Sequence, residues 1–203
     1  MVTIIDYGMG NLGSIQNMFK RIGVPSEISG DKDKIASASK ILLPGVGAFD
    51  AAMEKIAESK LLEILNKKAL EDKVPVLGIC LGMQLLTKQS EEGKLPGLGW
   101  IDGETKKFNF AQTPTLKVPH MGWNLINPVN SSPLLADLPE EPRFYFVHSY
   151  YVNVSDPRNV LSTTHYGHDF HSIIQHENIY GAQFHPEKSH KFGMQLLANF
   201  AKL

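Results

Sequence analysis

The first half of the chain alternates short apolar runs with amphipathic stretches. The runs that predict buried strands are residues 2–6, 40–43 and 74–79. Apolar residues at helical spacing predict helices over residues 12–22 and 49–68 and downstream of Leu81. Strands that alternate with helices indicate right-handed crossovers and a parallel sheet covered on both faces.

The second half has a different pattern, because proline, glycine and asparagine interrupt short β-rich runs between residues 98 and 180. The runs 144–147, 151–154 and 172–174 predict antiparallel or mixed strands added to the first sheet. A closing helix is predicted over residues 191–201. The predicted fold is therefore α/β, with an open, mostly parallel or mixed central sheet, helices on both faces, and a single domain over residues 1–203.

Composition excludes several classes of function. The 203 residues are 42% hydrophobic and 20% charged, with a net charge of −1, so neither nucleic acid nor an anionic membrane is expected as a partner. No segment approaches the roughly 20 apolar residues of a membrane span. The chain has one cysteine and begins without a basic, apolar leader, which predicts a cytoplasmic protein.

That single cysteine lies in Gly78-Ile-Cys80-Leu-Gly82-Met-Gln84, at a predicted corner between a strand and a helix. Such a corner lifts the thiol out of the backbone and aims it at the helix N-terminus, whose dipole favours a thiolate. Glycines two residues before and after Cys80 allow the close backbone approach of a nucleophile elbow. The alternative is a buried structural cysteine between two packing glycines.

A cysteine nucleophile needs a base and a group that orients the base. His185 and Glu187 are two residues apart, so in an extended segment both side chains point to the same side. The imidazole would take the thiol proton while the carboxylate fixes its tautomer. Pro186 between them suits a strand end near a site. The alternative is a solvated histidine and glutamate beside a turn.

The loop Pro44-Gly-Val-Gly47 follows a strand expected next to the elbow strand. Its small residues leave backbone N–H groups open to a ligand, and these donors, with the N–H of Leu81, could hold the oxyanion of a tetrahedral intermediate. The alternative is a loop that uses glycine only for its turn.

Two further patterns carry little weight. Gly8, Gly10 and Gly13 match a dinucleotide loop, but no acidic residue follows at the end of the next strand, so no cofactor is predicted. The histidines at positions 165, 168, 171 and 176 are too loosely spaced for a zinc site, and a solvated loop with no metal is predicted there.

Several motifs together resemble those of the class I (triad) glutamine amidotransferases, and more narrowly the HisH family, the glutaminase subunits of imidazole glycerol phosphate synthase. The segments that carry the resemblance are Gly78-Ile-Cys80-Leu-Gly82-Met-Gln84, His185-Pro-Glu187, Asp6-Tyr-Gly-Met-Gly-Asn11-Leu12, Pro44-Gly-Val-Gly47 and Pro119-His-Met-Gly-Trp-Asn124. The resemblance covers essentially the whole chain and implies the flavodoxin-like fold of that class.

The resemblance also implies roles for individual residues. Cys80 would form a γ-glutamyl thioester with glutamine, His185 would act as base and acid, and Glu187 would support His185. The oxyanion hole would be formed by the N–H groups of Val46 and Leu81. Glutamine would be bound by Gly47, Gln84, His148, Ser149 and Tyr150. The partner interface would include Asn11, Trp123 and Lys188.

In this family ammonia passes directly into a (β/α)8-barrel synthase subunit, which with the glutaminase forms a heterodimer producing imidazole glycerol phosphate and AICAR in histidine biosynthesis. A dry passage keeps ammonia unprotonated and nucleophilic. The motifs around residues 91–100 and 188–193 also resemble a paralogous branch that supplies ammonia for amidination of a surface-polysaccharide sugar. A stand-alone cysteine hydrolase and a catalytically silent scaffold are the remaining alternatives.

Overall fold

A β-sheet of mixed strand direction forms the centre of the computed structural model, which describes residues 1–111 and 115–203. The strands are β1 Val2–Ile5, β2 Ser26–Ser29, β3 Ile41–Leu43, β4 Val76–Ile79, β5 Gln89–Ser90, β6 Gly103–Lys107, β7 His120–Leu125, β8 Asn127–Pro128, β9 Arg143–His148, β10 Tyr150–Val154, β11 Val160–Tyr166, β12 His168–His176 and β13 Ile179–Ala182. Over the described residues the main sheet has eleven strands, in the order β2-β1-β3-β4-β13-β12-β10-β6-β5, with β11 paired to β12 and to β8.

Helices cover both faces of this sheet. They are α1 Leu12–Arg21, α2 Lys32–Ser37, α3 Phe49–Glu58, α4 Leu62–Asn66, α5 Leu81–Leu85 and α6 His190–Lys202. Successive strand residues point to opposite faces, so Ile4 packs in one apolar cluster and Ile5 in the other. Phe19 of α1 lies in the first cluster and Phe49 of α3 in the second. The predicted open α/β sheet with helices on both faces is confirmed.

Strand register determines which loops meet at the carboxyl edge of the sheet. β1, β3, β4 and β13 are mutually parallel, and β12 runs antiparallel to β13. Leu43 of β3 pairs with Gly78 of β4, and Ile79 of β4 pairs with Ala182 of β13. The residues that follow these three strands are therefore neighbours, although they come from distant parts of the chain.

A separate antiparallel pair, β7 and β9, lies beyond the main sheet. His120 at the start of β7 faces His148 at the end of β9. The predicted runs 144–147, 151–154 and 172–174 lie in β9, β10 and β12, and the closing helix is α6. The runs 151–154 and 172–174 join the main sheet as predicted, but the prediction was wrong for 144–147, because β9 pairs with β7 in the separate sheet. Residues 112–114, within the predicted β-rich half, lie outside the described residues.

Some predictions about individual elements were wrong. The helix predicted over residues 49–68 is two helices, because α3 ends at Glu58 and Lys60 has a left-handed φ of 56° before α4 begins. β2 and α2 were not predicted, because their apolar residues are too few to give a pattern. The histidines predicted in a solvated loop lie in strands, His165 in β11 and the other three in β12.

None of the helices that the structure describes is both long and apolar enough to span a membrane.

Candidate active site

Cys80 lies between the end of β4 and the start of α5, in the left-handed region with φ of 54°. An L residue is strained there, and such strain concentrates at functional sites. The flanking glycines are required by space. A Cβ on Gly78 would lie 2.6 Å from the carbonyl oxygen of Gly82, and a Cβ on Gly82 would lie 2.0 Å from that of Leu43. The predicted elbow geometry is confirmed.

The helix after the elbow is short. α5 spans Leu81–Leu85, and Leu86 is its C-cap residue. One turn of helix has a small dipole, so the macrodipole contributes little to the electrostatics at Cys80. A charge that balances a thiolate must come from a side chain.

His185 provides that side chain. Its Nδ1 atom lies 2.8 Å from Oε1 of Glu187, and the two side chains are only 5% and 3% exposed. The expected extended segment is wrong, because Pro186–Lys188 forms a 3₁₀ turn. The turn carries Glu187 back onto the imidazole, and the hydroxyl of Ser189 supports it by donating to the carbonyl oxygen of His185 at 2.6 Å.

The electrostatics favour a charged imidazole beside the thiol. Burial lowers the pKa of His185, but hydrogen bonding and charge interactions with Cys80 and Glu187 outweigh burial and raise this pKa to about 10. His185 is therefore protonated at neutral pH. With Nδ1 held by Glu187, the Nε2 side of the ring is left for the sulfur. This arrangement places a buried, carboxylate-supported imidazole beside the thiol, as a cysteine nucleophile requires.

Gln183 is a site residue that the sequence analysis missed. It is fully buried, its Nε2 atom lies 3.8 Å from the Sγ of Cys80, and its Oε1 atom accepts a hydrogen bond from Nε2 of Gln84 at 3.2 Å. Only the pairing of β13 with β4 places it there. The only feature of the sequence that could have indicated Gln183 as a site residue is its position two residues before His185.

A cavity of about 370 Å³ opens over Cys80, within the usual range of ligand pockets. Its lining residues are Val46, Gly47, Cys80, Leu81, Gln84, Glu92, Pro119, Val147, His148, Ser149, Tyr150, His185 and Lys188. The structure thus brings together the predicted nucleophile, base, oxyanion-hole and glutamine-binding residues. Glu187 lies behind His185, and Asn11 and Trp123 are outside the lining.

The loop after β3 forms one wall of this cavity. The hydroxyl of Tyr7 donates to the carbonyl oxygen of Pro44 at 2.6 Å, and a Cβ on Gly45 would lie 2.7 Å from the backbone nitrogen of Gly82. Val46 is 43% exposed and Gly47 has a φ of 100°. The loop is held at its base against the elbow, while its tip faces the cavity.

Glu92 also lines the cavity and was missed by the sequence analysis. Its Oε2 atom accepts a hydrogen bond from the backbone N–H of Phe49 at 3.0 Å. Burial raises the pKa of this carboxyl group, the hydrogen bond from Phe49 opposes that shift, and the charge of Asp50 adds to it. No spacing relates it to Cys80, so no sequence pattern could have found it.

Two of the three predicted interface residues lie close together. The Trp123 ring stacks on His190 with centroids 5.5 Å apart and meets Tyr145 edge to face at 6.2 Å. The Nζ atom of Lys188 lies 5.6 Å from the centroid of Tyr145. Asn11 is exposed at the start of α1, which packs against the 3₁₀ turn that contains Lys188.

Comparison with known proteins agrees with this geometry. Residues 3–203 match the family model described as glutamine amidotransferase class-I. The chain is 54% identical to the imidazole glycerol phosphate synthase subunit HisH 2 of Methanococcus maripaludis, over 100% of this chain and 99% of that protein. It is 45% identical to subunit HisH 1 of the same organism, over the full length of both. Among solved structures, PurLQS from Thermotoga maritima superposes with a TM-score of 0.75 over 99% of this chain and 97% of that one, at 17% identity, which is a likeness of fold.

Proposed function

The chain belongs to the class I glutamine amidotransferases and, within them, to the HisH family, and from that premise we propose that it hydrolyses glutamine and delivers the ammonia to a barrel-shaped synthase subunit. The observation that carries the proposal is the lone thiol at a strained elbow, beside a buried imidazole whose far nitrogen contacts a buried carboxylate. The single thiol needs a reducing environment, which supports a cytoplasmic location.

The reaction follows from these three groups. The sulfur of Cys80 attacks the side-chain carbonyl carbon of glutamine, and the thiol proton resides on His185. The tetrahedral intermediate collapses when His185 gives that proton to the leaving nitrogen, which departs as ammonia and leaves a γ-glutamyl thioester. Water, deprotonated by His185, then attacks the thioester. Glutamate leaves and the thiol is regenerated, while Glu187 offsets the imidazolium charge in both steps.

The oxyanion of each tetrahedral intermediate would be held by the backbone N–H groups of Val46 and Leu81. Both residues line the cavity on either side of Cys80, one on the loop after β3 and the other on the first turn of α5. The contact of Gly45 with Gly82 supports this role, since it joins the two donor segments at their bases. Preorganised donors of this kind stabilise the charge that develops on the carbonyl oxygen.

The cavity also suits the two ends of the substrate. Gly47, Gln84 and the segment 148–150 surround the space above the thiol, as expected for residues that hold the glutamine side chain and backbone. The carboxylate of Glu92 is an acidic group on the same wall, and it would pair with the α-ammonium group of glutamine. This charge match favours a free amino acid over an internal peptide residue, which has no ammonium group.

A partner surface lies next to the cavity. Met121, Trp123 and Leu125 alternate along β7 and are 61%, 47% and 37% exposed; these three side chains are the docking face. A row of exposed apolar side chains with a central tryptophan is typical of protein interfaces. The docking face reaches the cavity through Tyr145 and Lys188. A (β/α)8-barrel synthase bound here, with Asn11 at the edge of the contact, would receive ammonia at the cavity mouth.

The synthase of the leading proposal forms imidazole glycerol phosphate and AICAR in histidine biosynthesis. A second acceptor is the one suggested by the segments 91–100 and 188–193, which resemble a paralogous branch of the family. A paralogous subunit that supplies ammonia for amidination of a surface-polysaccharide sugar would use the same glutamine chemistry. The barrel protein that co-purifies with the chain distinguishes the two proposals.

The division of labour is tested with Cys80→Ala in the complex with the barrel subunit. We expect glutamine-dependent synthesis to be abolished and synthesis from added ammonium salt to continue. Loss of both reactions would contradict the proposal. Fast glutamine hydrolysis by the chain without any partner would favour a stand-alone hydrolase. Failure of a glutamine-like diazo-ketone to label Cys80 would favour a silent scaffold.

A further inference from the structure

Two buried histidines form a contact whose role the chemistry proposed above does not explain. His120 and His148 face each other across β7 and β9, and Nδ1 of His120 lies 3.0 Å from Nε2 of His148. The two residues are 3% and 5% exposed. Burial lowers the pKa of His120 to about 4. Burial also lowers the pKa of His148 to about 3, although the hydrogen bond to the carbonyl of Tyr150 opposes this shift. Both imidazoles are therefore neutral at physiological pH, and each has one donor and one acceptor nitrogen.

Their partners fix which nitrogen carries the proton. Nδ1 of His148 lies 2.7 Å from the carbonyl oxygen of Tyr150, which can only accept, so His148 carries its proton on Nδ1. Its Nε2 is then an acceptor, and the Nδ1 of His120 must be the donor. The Nε2 of His120 accepts from the side-chain amide of Asn124 at 3.3 Å. We call this directed series, from Asn124 through His120 and His148 to the Tyr150 carbonyl, the histidine relay.

The amide at the outer end of the relay is also fixed. Oδ1 of Asn124 accepts from the backbone N–H of Leu125 at 2.9 Å, and Nδ2 donates to the carbonyl oxygen of His165 at 3.0 Å. Asn124 lies between Trp123 and Leu125, whose side chains belong to the docking face. The outer end of the relay is therefore held by the strand that would carry the synthase subunit.

The inner end of the relay lies at the cavity. The carbonyl oxygen of Tyr150 accepts a second hydrogen bond from Nε2 of Gln84 at 3.1 Å, and the same amide nitrogen donates to Gln183. His148, Tyr150 and Gln84 all line the cavity. A shift of β7 therefore acts on residues around the glutamine site through a continuous set of directed hydrogen bonds.

We propose that His120 is a positioning residue, and that the histidine relay holds the backbone of the glutamine site at Tyr150 in register with the docking strand β7. The inference rests on the proposed function, since it assumes that glutamine occupies the cavity and that a synthase binds β7. Binding of the partner to β7 restricts the position of Asn124. Through the two imidazoles it also restricts the position of the 148–150 segment. The relay thereby couples partner binding to glutamine affinity.

The kinetic test uses His120→Phe in the complex with the barrel subunit. Phenylalanine keeps the ring contacts that His120 makes with Tyr166, at 4.1 Å between centroids, and with Phe146, at 4.8 Å, but it has no hydrogen bonds. We expect KM for glutamine to rise about tenfold with a smaller change in kcat, and activation by the partner to fall by a similar factor. His120→Asn, which restores a donor near the position of Nδ1, should recover most of the loss.

His171→Phe is the matched control, because His171 is half-buried and lies outside the relay. Turnover with ammonium salt bypasses this chain and measures the partner's own chemistry. Wild-type values of KM and activation in His120→Phe would overturn the inference, and so would a His120→Asn variant that is no better than His120→Phe. If the wild-type complex itself shows no glutamine-dependent turnover, the proposed function fails.

The second measurement does not depend on the proposed function. Nitrogen NMR of the full chain, labelled with ¹⁵N-histidine, reports which ring nitrogen carries the proton. We expect His120 and His148 to be Nδ1–H tautomers. His171 should be the opposite tautomer, since its Nδ1 accepts from the backbone N–H of Val154 at 3.1 Å. An Nε2–H tautomer at either His120 or His148 would overturn the relay, whatever the kinetics show.

Discussion

Gly82 faces the carbonyl oxygen of Leu43 so closely that a Cβ added to Gly82 would lie 2.0 Å from that oxygen. This contact joins the first turn of α5 to the end of β3 and places the Pro44–Gly47 loop beside Cys80. The oxygen belongs to the backbone and cannot move without displacing β3. The position of the loop relative to the thiol therefore depends on the absence of a side chain at residue 82.

Gly82→Ala should lower both stability and activity. Forcing a methyl group against backbone in a packed region should reduce the free energy of unfolding by about 2 kcal/mol. The matched control is Gly13→Ala in α1, where a Cβ would have nothing within 4 Å. That change should raise the free energy of unfolding by about 0.5 kcal/mol, because alanine restricts the unfolded chain. Urea unfolding of both variants gives the comparison, and equal stabilities would refute the steric argument.

Glu187→Gln should reduce kcat for glutamine hydrolysis about 100-fold or more, a typical cost of disabling acid–base support. The carboxylate is one of the groups that raise the pKa of His185, and the neutral amide cannot balance an imidazolium. Steady-state kinetics in the synthase complex measure the effect. Glu177→Gln, an exposed glutamate paired with Lys73, should leave kcat unchanged. A kcat for Glu187→Gln within a few fold of wild type would contradict the assigned role.

Stability should fall between neutral and alkaline pH because of His185. Its pKa is raised from 6.5 to about 10 in the folded protein, so the folded state binds the proton more tightly than the unfolded state. This contribution is complete below pH 6.5 and is lost as the pH rises through about 10. Urea unfolding from pH 6.5 to 10 should show a loss on the order of a few kcal/mol, part of which disappears in His185→Gln. The exposed His176→Gln should keep the wild-type slope, and identical slopes in all three proteins would exclude His185 as the cause.

Trp123→Ala should weaken binding to the synthase subunit without destabilising the isolated chain. Removal of a central interface tryptophan costs about 2 kcal/mol or more, which is about a 30-fold rise in Kd. Titration calorimetry measures Kd, and thermal unfolding checks the fold. Leu70→Ala is the control, since Leu70 is 43% exposed in a short π-helix, Lys67–Glu71, which precedes the opposite end of β4. If both variants bind like wild type, the docking face lies elsewhere.

Short segments of the sequence determine the buried strands and the tight elbow of this protein. The apolar runs of β1, β3 and β4 and the glycines around Cys80 are features of neighbouring residues, since strand burial and a tight elbow depend on local backbone geometry. The elbow at Cys80 and the α/β class could therefore be predicted. The segment His185–Glu187 was singled out from the sequence and the structure places His185 at the cavity, but the expected extended geometry was wrong, because a 3₁₀ turn replaces it.

Tertiary structure alone decided the surroundings of that nucleophile. Gln183 meets Cys80 across 103 positions of the chain, and His120 meets His148 across 28, and both meetings depend on strand register. Glu92 reaches the cavity because its carboxylate is held by the first N–H of α3. Pattern and propensity describe neighbours in sequence, whereas charge, tautomer and hydrogen-bond direction in a buried site are set by neighbours in space.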